Sequence, residues 1–179
     1  MSKLIDGVLV SQQIKQTIRS EVSGLINKGI RPCLATILVG DNQASAIYVK
    51  NKQTAANNVG ILTRDFNLPE TIKQDELLST INELNKDENV HGILVQLPLP
   101  HHIETSITNM VNYEKDVDGL TSYNLGFLFK GTPKLIPCTP LGILELLDFY
   151  NIDVKGMDVA IINRSNLVGK AFGHFTYES

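Results

Sequence analysis

The sequence has only two cysteines, Cys33 and Cys138, which lie far apart and form no CxxC pair. That leaves no disulfide framework to read, and both thiols are expected to be reduced and at or near the core. Four histidines carry no metal-ligand pattern. His101 and His102 are adjacent and cannot share a ligand on one helix, and His91 and His174 have no ligand spacing around them. Surface or loop positions suit all four, and no metal is expected. Basic charge is also scarce: 16 lysines and arginines against 19 acidic residues give a net charge of −3. This balance argues against nucleic acid as a partner, and no basic run suits an anionic membrane. The N-terminal MSKLIDGVLVSQQ lacks a charged region followed by a long apolar stretch, so no signal peptide is expected. No apolar run approaches bilayer-spanning length, and a soluble cytoplasmic protein is the expectation. Neither repeats nor low-complexity tracts occur.

What is present is an ordinary globular mix, 42% hydrophobic and 20% charged over 179 residues. That suggests one domain or one and a fraction, with enough chain to bury a core. Ile14, Ile18, Val22 and Leu25 mark one face of a helix over residues 11–28. CLATILVG then reads as a buried strand at 33–39, followed by a helix over 44–58 that Asp41 or Asn42 can cap. A second strand is expected at 61–68, a helix at 74–85, and a third strand at 92–97 ended by Pro98 and Pro100. This rhythm predicts right-handed crossovers and an α/β fold, three-layer-like, with a mostly parallel sheet. Short helices are expected at 104–111 and 122–129. A longer one begins at CTPLGILELLDFY, with Thr139 as N-cap and Pro140 at the first helical position. From residue 157, MDVAIINRSNLVGK reads as a strand, a turn and the start of a helix, the opening of a Rossmann βα unit. The expected division is a first domain over 1–150 and the beginning of a second over 151–179.

Three segments carry chemistry. In SAIYVKNKQTAANNVGI, helical spacing puts Ser45, Tyr48 and Lys52 on one face. A tyrosine ring can stack on a flat heterocycle, and a partly desolvated lysine is suited to proton transfer. Taken alone, the segment reads better as a solvated lysine beside half-buried packing, because such spacings arise often by chance. In HGILVQLPLP, Gln96 stands at the C-terminal end of a buried parallel strand, where open α/β sheets bind ligands. Its planar amide offers a donor and an acceptor, and it equally suits tying down the following loop. In KDVDGLTSYN, Asp116 reads as a turn cap, while Asp118 can accept hydrogen bonds from an amino-heterocycle. The pair lacks the further oxygen ligands of a metal site.

In this order and spacing, YVKNK, GILVQLPLP, KDVDGLTSYN, PCTPLGILELL and NRSNLVGK resemble the motifs of the methylenetetrahydrofolate dehydrogenase/cyclohydrolase family, and the likeness runs over residues 4–170. It implies that Lys52 is the catalytic lysine, Tyr48 the ring that stacks on the folate, Gln96 the partner that tunes the lysine, and Asp118 the anchor of the pterin end. It also implies that Ser45, Val95 and Leu97 line the same cleft. The implied substrate is a tetrahydrofolate derivative. NADP, with NAD not excluded, would take hydride from 5,10-methylenetetrahydrofolate, and water would then open the methenyl product to 10-formyltetrahydrofolate. A cytoplasmic homodimer serving one-carbon metabolism and purine biosynthesis belongs to the same expectation.

The chain departs from the family pattern in two places. Asn163-Arg164-Ser165 stands where a glycine-arginine-serine turn is expected, and asparagine is the next-best residue for a left-handed conformation. Asn163, Arg164 and Ser165 are the expected contacts to the cofactor phosphates, or else only a capped turn. The second departure is the close FGHFTYES, polar and without helical period, from which a truncated chain is expected. The alternatives are therefore a catalytically impaired folate-binding fragment, or a different two-domain NADP enzyme of the shikimate-dehydrogenase type.

Overall fold

The structure, a computed structural model, describes residues 4–173. The polar close from His174 onward lies outside the described residues. Helix α1 (Gly7–Asn27) starts four residues before the expected start at residue 11, because Asp6 caps it: its Oδ1 accepts from the Val8 and Leu9 N–H groups at 2.9 and 3.2 Å. Strand β1 (Cys33–Val39) leads into α2 (Gln43–Asn58), which Asn42 caps through the Ser45 N–H. Then come β2 (Leu62–Leu68), α3 (Gln74–Lys86) and β3 (Gly92–Val95). A 3-10 helix (Thr105–Met110), α4 (Ser122–Phe129) and α5 (Cys138–Phe149) follow.

Among the described residues the sheet has three parallel strands in the order β2-β1-β3. The chain steps from β1 to β2 on one side and then back across β1 to β3. Right-handed crossovers in opposite directions put α2 and α3 on opposite faces of the sheet. Strand alternation then sorts the side chains. Ala35, Ile37, Val39, Ile93 and Val95 pack with Leu77, Ile81 and Leu84 of α3, and with Ile103, Ile107 and Val111 of the segment that follows. Leu34, Thr36, Leu38, Gly92 and Leu94 face α2. The central strand β1 is apolar except for Thr36 because both of its faces are covered. Edge strand β2 instead alternates between exposed and half-buried positions.

Two expectations need correction. Helix α5 begins at Cys138 with Pro137 as its N-cap residue, so Thr139 is not the cap. Pro140 falls at the third helical position, and its missing N–H is one of those a helix start leaves unbonded anyway. Residues 157–165 form no strand. Extended chain needs a neighbouring ladder, and among the described residues none runs beside this segment; Ile162 is fully exposed. The turn of π-helix Asn166–Lys170 follows it. Among the described residues no helix is long and apolar enough to cross a membrane.

Candidate active site

Parity decides where Gln96 points. It follows Val95 directly, and its N–H still donates to the Ile37 carbonyl at 2.9 Å, so the β3 register carries on one residue. Its side chain therefore lies on the α2 face, two residues beyond Leu94. There the Lys52 Nζ donates to Gln96 Oε1 at 3.3 Å, and the Gln96 Nε2 donates to the Leu97 carbonyl at 2.7 Å. The amide thus does both things the sequence allowed. It ties down the loop with its donor and holds the lysine with its acceptor.

The rest of α2 arranges itself around that contact. Ser45, Val49 and Ala56 are buried against the sheet, Lys52 is half-buried beside this stripe, and Tyr48 stands 63% exposed one turn earlier. An exposed ring beside a tethered ammonium is free to stack on a planar ligand. Leu97 is half-buried at the strand end. Val95 does not join the group through its side chain, since alternation sends it into the α3-side core, where it is 6% exposed.

The carboxylates come from the segment after the 3-10 helix. Ile93 N–H donates to the Lys115 carbonyl at 2.7 Å, and Asp116 bridges Ile93, which lays this segment along β3. Gly92 makes room for it: a Cβ there would stand 2.5 Å from Val117 Cγ1. Asp116 is the turn cap, buried, with its Oδ2 accepting from the Thr121 N–H and the Asn124 amide at 2.8 and 2.9 Å. Asp118 makes no such bonds and is half-buried. Burial pushes its carboxyl pKa up, the nearby Lys52 ammonium pulls it back down, and Asp116 raises it again. Lys52 is thus within electrostatic reach of both Gln96 and Asp118.

One participant was not anticipated. Cys138, expected in or near the core, is an exposed residue whose Sγ lies 3.3 Å from the Val117 carbonyl and 3.9 Å from Asp118 Oδ1. Although the residue is exposed, its sulfur packs against the Val117–Asp118 segment, and this desolvation raises the thiol pKa, with Asp118 raising it further. Only the PCTP motif adjacent to a turn could have hinted at this. A cavity of about 300 Å³ opens at the carboxyl ends of the strands, lined by Gly40, Asn42, Glu70, Leu99 and His101 among others. Lys52, Gln96 and Asp118, all half-buried, do not line it.

The three residues of the later turn stand apart from this group in sequence. Asn163 does not take up a left-handed conformation; among the described residues only Asn151 does so without being glycine. The Asn163 Oδ1 accepts instead from the Ser165 N–H and Oγ, both at 2.8 Å, and from the Gly169 N–H at 3.2 Å. Ser165 caps the next turn through the Val168 N–H. Gly169 has to be glycine, since a Cβ would lie 2.0 Å from the Asn163 carbonyl oxygen. Arg164 is exposed.

Residues 5–118 match the model of the tetrahydrofolate dehydrogenase/cyclohydrolase catalytic domain. The chain belongs to this family. Residues 137–178 match the model of its NAD(P)-binding domain, so the chain also carries the start of that domain. A bifunctional protein FolD of Nitrosopumilus maritimus is 48% identical over 171 residues, covering 95% of this chain and 60% of that protein. The FolD dehydrogenase/cyclohydrolase structure from Campylobacter jejuni is 46% identical, with a TM-score of 0.96, and the match covers 98% of this chain and 63% of that one. The Trypanosoma brucei structure, complexed with NADP cofactor and inhibitor, is 32% identical with a TM-score of 0.94, over 98% of this chain and 61% of that one. The chain thus spans about 60% of the length of the curated relatives it matches.

Burial of Asp118 has a consequence for stability. Its raised pKa means that the folded chain holds this proton more tightly than the unfolded chain does. The contribution of Asp118 to stability therefore falls as pH rises from the ordinary carboxylate range through its folded value. Asp118→Asn should raise the thermal midpoint at neutral pH, with the gain vanishing below about pH 4. Thermal melts of both proteins across that range check it. A variant less stable at neutral pH would mean that Lys52 and the local hydrogen bonds outweigh desolvation.

Proposed function

We propose that the chain carries the folate-binding and proton-transfer part of an NADP-dependent methylenetetrahydrofolate dehydrogenase and methenyltetrahydrofolate cyclohydrolase. The observation that supports it most is the Lys52 to Gln96 hydrogen bond, with exposed Tyr48 and desolvated Asp118 beside it. In this reading Tyr48 stacks on the pterin, with Ser45 and Leu97 bordering the cleft and Val95 contributing backbone. Asp118 accepts from the amino end of the pterin. Lys52 takes a proton from the water that attacks the methenyl carbon. It then passes the proton to the ring nitrogen, whose bond to that carbon breaks as the new hydroxyl loses its own proton to solvent and becomes the formyl carbonyl of 10-formyltetrahydrofolate. Gln96 fixes the direction of the Nζ lone pair by accepting one of its hydrogens.

NADP, or NAD in its place, supplies the hydride acceptor when bound. The donor set of the later turn fits a phosphate through Arg164, an exposed guanidinium beside exposed Ser165, with Asn163 shaping the turn from within. We set the division between the two domains at residues 150 and 151, where left-handed Asn151 closes α5. A homodimer, a cytoplasmic location and a supply of one-carbon units for purine biosynthesis belong to the same proposal for the whole protein.

One observation favours a second reading, a catalytically impaired fragment that binds folate and turns over nothing. Residues 157–162, which would carry the cofactor turn, form no strand, and Ile162 is fully exposed. Incubation of the chain with 5,10-methenyltetrahydrofolate, followed by its absorbance, separates the readings. Hydrolysis above the spontaneous rate supports the first. Saturable binding without acceleration supports the second, and no binding contradicts both.

A further inference from the structure

The segment that presents Asp118 is held from one side by β3 and from the other by the start of α5. Gly119 has φ +64, and a Cβ on it would lie 2.7 Å from the Ile136 carbonyl carbon and 2.8 Å from the Pro137 nitrogen. The two stretches therefore meet backbone to backbone. Among the described residues no backbone N–H or amide anchors the Asp118 carboxylate, in contrast to Asp116, which has two such partners. The group that reaches it is the Cys138 thiol, which stands on the first residue of α5 and also touches the carbonyl just before Asp118. Its Sγ has both the Val117 carbonyl and Asp118 Oδ1 within hydrogen-bond distance, and its S–H is the side-chain donor that reaches the carboxylate.

We propose that Cys138 is a positioning residue: its sulfur, held beside the Val117 carbonyl, donates its S–H to the Asp118 carboxylate and sets the orientation in which that carboxylate faces Lys52. This rests on the folate reading for its consequence, since a carboxylate that turns freely would meet the pterin poorly. The geometric part does not depend on that reading. A serine at 138 keeps an O–H donor on a shorter bond, whereas an alanine removes the donor altogether. The charged and titratable groups around Asp118 are Lys52, Asp116 and Cys138 itself.

The test uses Cys138→Ala and Cys138→Ser in the full chain, each first shown by thermal melting to be folded. Titration with 5-formyltetrahydrofolate is expected to show about tenfold weaker binding for alanine, the effect of losing one orienting hydrogen bond near a charge, and near-normal binding for serine. In parallel, the carboxyl carbon of Asp118 is followed by NMR through a pH titration without ligand. Its titration should move in the alanine variant and stay close to the parent in the serine variant. Equal binding by all three proteins overturns the proposal, as does an equal loss in both variants, which would mean that packing and not the donor matters. If the parent chain binds no folate, the folate reading fails by itself. The NMR arm then decides, and an Asp118 titration unmoved by alanine overturns the positioning role.

Discussion

Lys52→Met should lower the rate of methenyltetrahydrofolate hydrolysis by at least about 100-fold, the usual share of a positioned acid-base group, while folate still binds. Methionine keeps the length and apolar stem of the side chain, so the half-buried position on α2 stays filled. What it removes is the nitrogen that donates to Gln96 Oε1 and the charge that Asp118 feels. Stacking on Tyr48 and acceptance by Asp118 do not pass through Lys52, so binding and rate should separate. Steady-state hydrolysis together with equilibrium titration measures both. Unchanged turnover would remove Lys52 from the mechanism, and lost binding with lost turnover would make it a binding residue.

A large loss of stability is expected at Gly119. An alanine there has to hold φ +64, which costs about 1–2 kcal/mol for a residue with a Cβ, and that Cβ falls 2.7 Å from the Ile136 carbonyl carbon. Nothing flexible can give way, because the contacting atoms are backbone. A loss of about 3 kcal/mol or more is expected, seen as a lower denaturant midpoint with little change in slope. Gly126→Ala is the control, since the same methyl on α4 meets nothing within 4 Å and should stabilise by about 0.5–1 kcal/mol. If the two variants unfold alike, the close approach of residues 119 and 136–137 is not a constraint on the fold.

The parallel core was readable because each of its signals is local. CLATILV is apolar enough to be covered on both faces, and Gly60 and Pro69 stop α2 and β2 where a left-handed residue and a missing donor require it. The pairing of Lys52 with Gln96 was implied by the family resemblance and by neither segment alone, since their meeting depends on β3 keeping its parity one residue past its last ladder pair. Val95 shows the same rule from the other side, since a neighbour in sequence points into the opposite core. Cys138 could not be assigned from composition, because a small thiol suits a core equally well and its partner lies 20 residues earlier. The expected strand after residue 156 rested on the short apolar run VAII, and such a run forms a strand only where a neighbouring strand receives it. Asn163 was judged by its backbone tolerance, whereas its side chain does the work by accepting three hydrogen bonds.

The most direct test is titration calorimetry of three proteins with 5-formyltetrahydrofolate at neutral pH: the parent chain, Lys52→Met and Asp118→Asn. A folate held by Tyr48 and Asp118, with Lys52 reserved for proton transfer, requires saturable binding by the first two and a large loss in the third. Binding by Asp118→Asn at parent strength would contradict the account, because the carboxylate that the fold desolvates beside Lys52 would then have no part in holding the substrate.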